Sequence, residues 1–263
     1  MDCAMGIERI TSRKNPYILR LRALASDGKL RREQGEYLCD GQKLLDEAIN
    51  AGAELRSILW REGKVGTVDA SVPQFVAPEE LFDYASPMKN SPGPVFTLTM
   101  PREADDTNIR RALVLENVQD PGNVGTVLRS AAAFGTDAVI LCGDCADIYA
   151  PKTARASMGA IFRQRVLYRG IGELPALAKS LSLPLYAAAL RPDARDIRDT
   201  ALDRAIVAVG SEGRGLSAEL MSLCDGCLII PMSPQSESLN AAVAASVILW
   251  EMARQDRNIM KIR

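Results

Sequence analysis

Ile230-Pro231-Met232-Ser233-Pro234-Gln235-Ser236-Glu237-Ser238-Leu239-Asn240 is the stretch that decides the fold, together with the Ala-rich run Ala241 to Met252 behind it. Cys227 to Ile230 reads as the end of an apolar strand. Pro231 has no N–H to give to a ladder and stops it. A polar loop of six residues follows, Ser233 to Ser238. The next residues are good helix formers without Gly or Pro, so a helix is expected, with Ser238 as its N-cap. A polar loop between a strand end and a helix N-terminus is where α/β proteins hold ligands, using free N–H groups and the positive end of the dipole.

Working outward, residues 110–263 alternate apolar runs with helical patterns. The runs are Ala112–Leu115, Ala138–Cys142, Arg165–Tyr168, Leu185–Ala189, Ile206–Gly210 and Cys227–Ile230. Helical patterns fall near 124–134, 152–160, 173–181, 217–222 and 239–256. Continuous apolar strands between helices predict a mostly parallel sheet covered on both faces.

Residues 1–100 read as a smaller α/β unit. Asn15-Pro16 opens a basic helix over roughly 17–32. Strands are expected at 37–39, 57–60 and 74–77, and helices at 41–51 and from Pro78 to Tyr84. Residues 88–94 are a Pro/Gly/Ser loop. The charged, aperiodic segment 101–109 reads as a linker.

Composition narrows the function classes. A chain of 263 residues with 47% hydrophobic and 25% charged residues can bury a full core. No apolar run is long enough to span a bilayer. Met1 to Arg13 is polar and has no apolar signal region, so a cytoplasmic protein with reduced thiols is expected. The chain has no histidine, which excludes histidine acid–base catalysis and His metal ligands. Net charge is −1, but residues 9–32 hold eight basic residues against Asp27, and residues 152–169 hold five and no acid. Local patches of this kind bind phosphate backbones whatever the total charge. Cys142-x-x-Cys145 and Cys224-x-x-Cys227 could in principle supply four thiolates to zinc. The 78 residues between the pairs are far from ribbon spacing, and no metal is expected.

Two further constellations carry candidate chemistry. In Glu116-Asn117-Val118-Gln119-Asp120-Pro121-Gly122-Asn123-Val124-Gly125-Thr126-Val127-Leu128-Arg129, Pro121-Gly122 is a turn signal and Asn123 a candidate N-cap. Gly125 lies four residues before Arg129, on the same side of the helix, and suggests close approach to the backbone there. In Val209-Gly210-Ser211-Glu212-Gly213-Arg214-Gly215-Leu216-Ser217, three glycines form a turn between a buried strand and a helix capped by Ser217. The pattern G-x-x-G-x-G is neither the dinucleotide fingerprint nor a P-loop, which disfavours a dinucleotide-dependent oxidoreductase.

Taken in order, these motifs resemble those of the SpoU (TrmH-like) family of RNA ribose 2′-O-methyltransferases, within the SPOUT class. The resembling residues are Asn117-x-x-Asp-Pro-x-Asn123-x-Gly125-x-x-x-Arg129, Gly210-Ser-Glu212-Gly-x-Gly-Leu, and Ile230-Pro-Met with Ser238-Leu-Asn240. Arg155-Ala-Ser157-Met-Gly159-Ala is also similar. Ser12-x-x-Asn15-Pro16 and Tyr37-Leu-Cys-Asp-Gly41 resemble more weakly the family's ribosomal-protein-like RNA-binding domain. Pro234 stands where the family often has Gly, which would stiffen the loop, and Ala242 where it often has Ser.

The resemblance implies a small RNA-binding domain (1–100), a linker (101–109) and a methyltransferase domain (110–263) whose C-terminal segment forms a deep trefoil knot. It implies S-adenosylmethionine as cofactor, touching Gly210, Ile230 and Leu239, with Met232 and Gly213 of the same motifs beside them. It implies a homodimer through the knotted domain, acting on RNA, ribosomal in preference to transfer RNA. The alternatives are a tRNA 2′-O-methyltransferase and a non-catalytic ribosome assembly factor. Methyl transfer from a sulfonium needs an oxygen nucleophile held in line and stabilised as it loses its proton. The candidate catalytic residues are Arg129, Asn123, Glu212, Ser238 and Asn240. The family's arginine at the position of Arg129 is proposed as general base. A guanidinium stays charged, so an electrostatic clamp on the nascent oxyanion is the physically easier role, and both remain open.

Overall fold

The computed structural model describes residues 7–233, 235 and 238–256. Pro234, Ser236 and Glu237 lie outside the described residues, and with them the stiffening expected of Pro234. The chain forms two compact units: residues 1–102 with 147–162, and residues 103–146 with 163–263.

The first unit carries strand β1 (Glu8–Arg9), helices α1 (Pro16–Ser26) and α2 (Gly28–Gln34), β2 (Glu36–Asp40), α3 (Gln42–Asn50), β3 (Leu55–Arg61), β4 (Gln74–Ala77), α4 (Glu79–Ala85) and β5 (Val95–Thr99). The sheet order is β1-β4-β3-β5-β2, with β5 antiparallel to both neighbours. Two features differ from the expectation. The basic helix is broken at Asp27, whose carboxylate accepts from Lys29 and Leu30 N–H and so caps a second helix. Strand β5 follows the 88–94 loop and fills the sheet between β3 and β2.

The second unit carries β6 (Arg111–Glu116), α5 (Pro121–Ala133) and β7 (Ala138–Cys142). The chain then contributes helix α6 (Pro151–Ala156) to the first unit, where Arg31 clamps Asp147 at 2.7 Å and Tyr37 packs on Tyr149. It continues in the second unit with β8 (Val166–Tyr168), α7 (Leu174–Leu181), β9 (Leu185–Ala188), β10 (Arg195–Asp196), β11 (Ala205–Val209), α8 (Ala218–Ser222), β12 (Gly226–Ile229) and α9 (Ala241–Gln255).

All seven strands of the second sheet run parallel, in the order β10-β12-β9-β11-β6-β7-β8. Ala112, Val114, Ile140, Ala187, Ile206 and Ala208 pack with α7 and α8 residues Leu174, Leu177 and Leu220 on one face. Their buried neighbours Leu113, Leu115, Val139 and Val207 point to the other face by the period of two. There α9 packs on β6 and β11, and α5 on β7. Burial on both faces is why these strands read as unbroken apolar runs.

The cysteine pairs serve this core. Cys142, Cys224 and Cys227 belong to the apolar cluster, and Cys145 Sγ points at the carbonyls of Leu115 and Cys142. Burial pushes the Cys142 thiol up to about 11 and Cys224 up to about 12, which keeps both protonated at neutral pH.

Candidate active site

Three strand ends converge on one cavity. A space of about 430 Å³ is bounded by Ala188–Arg191 at the end of β9, Val209–Glu212 at the end of β11 and Leu228–Ile230 at the end of β12. Arg214–Leu216, Met232, Ser238, Leu239, Ala241 and Ala244 complete it. The walls are mostly apolar side chains and backbone, with Arg191, Glu212, Arg214 and Ser238 among them, at the carboxyl ends of parallel strands, the position where open α/β sheets bind ligands.

The wall beyond β11 is a closed turn. Gly215 N–H donates to Ser211 O at 2.8 Å, and Gly215 takes a left-handed φ of 64°. A Cβ on Gly210 would sit 2.1 Å from Gly215 C and 2.4 Å from Leu216 N. Gly210 is therefore needed for its own chain to close, where the sequence suggested room for a ligand. Behind the turn, the fully buried Glu116 carboxylate accepts from Ser217 N–H at 2.7 Å and Ser217 Oγ at 2.6 Å. Ser217 Oγ in turn caps α8 through Leu220 N–H. Glu116 thus ties the end of β6 to the Gly-rich turn. Its only sequence signal was an acid ending an apolar run. Asn117, in the same motif, takes φ 54° and its Oδ1 accepts from Asp144 N–H at 2.7 Å, a turn-holding role.

Asn123, Glu212 and Asn240 come together from three separate segments. Glu212 Oε1 accepts from Asn123 Nδ2 at 2.8 Å, from Asn240 Nδ2 and from Ala241 N–H at 3.4 Å. Asn240 Nδ2 also donates to Asn123 Oδ1 at 3.2 Å. Asn240 Oδ1 accepts from Ala242 and Val243 N–H and caps α9. Two expectations are corrected by this. Asn240 caps α9, where Ser238 was expected, and Asp120 caps α5, with Asn123 on its first turn. The first N–H groups of α9 are also occupied by Asn240 and Glu212. The positive end of that helix faces the Glu212 carboxylate, a stabilising arrangement, and its first N–H groups are not left open to a ligand.

Of the other sequence candidates, Gly210, Ile230, Met232, Ser238 and Leu239 line the cavity, and Gly213 does not. A Cβ added at Gly213 would meet no heavy atom within 4 Å. Arg129 is exposed on α5 and makes no hydrogen bond or ion pair among the described residues. It lines neither this cavity nor the groove described next. Arg191 and Arg214 line the cavity and were not singled out by sequence. Arg191 followed no motif, and Arg214 was hidden among the glycines.

Helices α5 and α9 run side by side with their N-termini together: Asn123 meets Asn240, Ser130 Oγ meets Ser246 Oγ at 2.8 Å, and Phe134 packs edge-on against Trp250. Between them lies a groove of about 380 Å³ lined by Thr126, Ala242, Val243, Ser246, Val247 and Trp250. Val243 and Trp250 are 49% and 43% exposed.

A parallel α/β sheet with a cavity at its strand ends, bounded by a Gly-rich turn and an asparagine–glutamate cluster, defines a ligand-binding α/β domain. Residues 110–250 match the model of the SpoU rRNA Methylase family, and the chain belongs to that family. An uncharacterized tRNA/rRNA methyltransferase of Synechocystis sp. is 36% identical, over 95% of this chain and 94% of that protein. The 23S rRNA (guanosine(2553)-2′-O)-methyltransferase of Bacillus subtilis is 29% identical, over 94% of this chain and 99% of that protein. The crystal structure of an AdoMet-bound rRNA methyltransferase from Sinorhizobium meliloti aligns with a TM-score of 0.85 at 25% identity, covering 95% of this chain and 98% of that one.

Proposed function

We propose that this chain transfers a methyl group from S-adenosylmethionine to a ribose 2′-hydroxyl of structured RNA, ribosomal RNA in preference to transfer RNA. The observation that carries the reading is the cavity at the ends of β9, β11 and β12, in a chain of the SpoU family. The cavity fits the cofactor by chemistry: its volume suits a ligand of that size. Leu216, Ile230 and Leu239 offer apolar walls, and the strand ends offer backbone donors and acceptors.

When bound, the cofactor supplies an electrophilic methyl group on sulfur. The chain's own residues supply the rest. Glu212 is held as a carboxylate acceptor by Asn123 and Asn240, which fixes the turn against the start of α9. Ser238 lines the cavity with its hydroxyl uncommitted among the described residues, so it is available to position ribose or phosphate. Arg129 either clamps the oxygen as its proton passes to solvent or takes that proton itself as the general base. The trefoil threading of the C-terminal segment and a cytoplasmic location belong to the same proposal. Among the described residues no helix is long and apolar enough to cross a membrane.

The test is transfer of labelled methyl groups from S-adenosylmethionine to unmodified ribosomal RNA and transfer RNA transcripts. Label is expected in the ribosomal transcript. Label in transfer RNA alone would reverse the substrate assignment, and label in neither would argue for a non-catalytic assembly factor.

The groove between α5 and α9 is assigned to a second copy of the chain. Its half-exposed Val243 and Trp250 lie beside small residues that let helices approach closely. Val243→Arg is expected to convert a dimer into a monomer in sedimentation at micromolar concentration. An unchanged sedimentation coefficient would place the dimer contact elsewhere.

A further inference from the structure

Half of the eight basic residues over 9–32 are paired once folded. Arg9 pairs with Glu62, Arg20 with Glu36, Lys29 with Glu33 and Arg31 with Asp147. The second basic run is partly tied down as well. Arg169 holds Glu103 and Asp106, and Arg165 donates to the Thr107 carbonyl. The run is also divided between the two compact units.

One cluster stays uncompensated. The Arg13 guanidinium lies over the Tyr84 ring at 4.9 Å from its centroid, and that of Arg22 lies over the same ring at 4.1 Å. Arg22 Nη1 also donates to the Tyr84 carbonyl at 2.5 Å. Both arginines are exposed, as is Lys14 beside Arg13. The acids of α4 do not neutralise them: Glu79 and Asp83 are both bound to Arg61. Glu80 makes no ion pair with either guanidinium among the described residues.

Two like charges converging on one ring repel each other. The negative π-surface holds both guanidiniums without neutralising either charge. The pair is pre-ordered and ready for an anion. Because the ring is committed to two guanidiniums, the cluster suits phosphate oxygens better than a stacked base. We infer that Arg13, Arg22 and Tyr84 form a phosphate clamp that grips the backbone of the substrate RNA. This inference rests on the proposed function.

The clamp reads no sequence, because phosphate contacts position an RNA without specifying it. Each lost phosphate contact lowers the slope of log affinity against log salt by about 0.7–0.9. The experiment measures binding of an unmodified large-subunit ribosomal RNA transcript to the full chain over a salt series. R13Q/R22Q is expected to bind about 10-fold more weakly, with a slope reduced by roughly 1.5. R13K/R22K keeps the charges and is expected to retain most of the slope. Tyr84→Leu keeps the apolar packing and is expected to weaken binding several-fold through lost ordering of the pair.

Unchanged S-adenosylmethionine affinity in each variant serves as the control for folding. Weaker binding of R13Q/R22Q at an unchanged slope, or no weakening at all, would overturn the clamp and leave the proposed function standing. A wild-type chain that binds no RNA would overturn both.

Discussion

Arg129→Ala is expected to slow single-turnover methylation by about 10²-fold or more, the scale for losing an electrostatic donor that acts in the transition state. S-adenosylmethionine affinity should stay as it was, because Arg129 does not line the cofactor cavity. Its exposure and its lack of a partner among the described residues make the experiment clean. Surface substitutions of this kind change stability by within about 0.5 kcal/mol, so a slow variant is not an unfolded one. Arg129→Lys separates the two roles. A lysine retains charge but loses the planar fork, and its proton is removed more readily. If Arg129 clamps the oxyanion through bidentate geometry, lysine should fail nearly as badly as alanine. If it is a base, lysine should recover activity as pH rises. Near-wild-type turnover in Arg129→Ala would make it an ordinary surface residue and remove the mechanism.

Gly210→Ala should be severely damaging for a single added methyl group. The added Cβ would fall 2.1 Å from Gly215 C and 2.2 Å from Gly215 O. Both are backbone atoms, so no rotamer change relieves the clash. The turn 210–216 must open, and with it the wall of the cavity beyond β11. Overpacking of this kind costs about 1–3 kcal/mol, and cofactor affinity should fall by at least about 10-fold. Gly213→Ala, three residues on, is the control. No heavy atom lies within 4 Å of its Cβ position, so stability should shift by within about 0.5 kcal/mol and affinity should hold. Calorimetric titration and thermal melting of the pair check both. Wild-type binding in Gly210→Ala would mean that the turn yields at little cost, and that the steric reading is wrong.

The strands were readable where burial on both faces made them continuous. Ala138–Cys142 and Gln74–Ala77 stand at the bounds their composition suggests. Caps were harder, because two cap-forming residues compete a few positions apart. At α5, Pro121 in the first helical position is the local signal that favours Asp120 over Asn123. At α9, Ser238 and Asn240 are equally good caps by type, and only the meeting of Asn240 with Glu212 decides between them. Asp27-Gly28 is a turn signal masked by a basic pattern that runs straight through it. The packing of residues 147–162 with the first unit had no local signal at all. It depends on pairs such as Arg31 with Asp147, 116 positions apart, and on Ala154 and Ile161 joining the cluster around Trp60 and Phe96. Gly210, Ile230, Met232, Ser238 and Leu239 of the motifs line the cavity, and some motif residues serve the fold: Asn117 holds a turn and Gly210 makes room for Gly215.

The central claim is methylation at the ribose oxygen, and alkali reads that oxygen directly. A ribose 2′-hydroxyl attacks its neighbouring phosphate in base, whereas a 2′-O-methyl group has no proton to lose and leaves that linkage intact. Ribosomal RNA labelled by the chain with methyl-labelled S-adenosylmethionine should therefore be hydrolysed in alkali and its products separated by length. Label in an alkali-stable dinucleotide is the predicted result. Label recovered in mononucleotides would place the methyl group on a base and contradict the account.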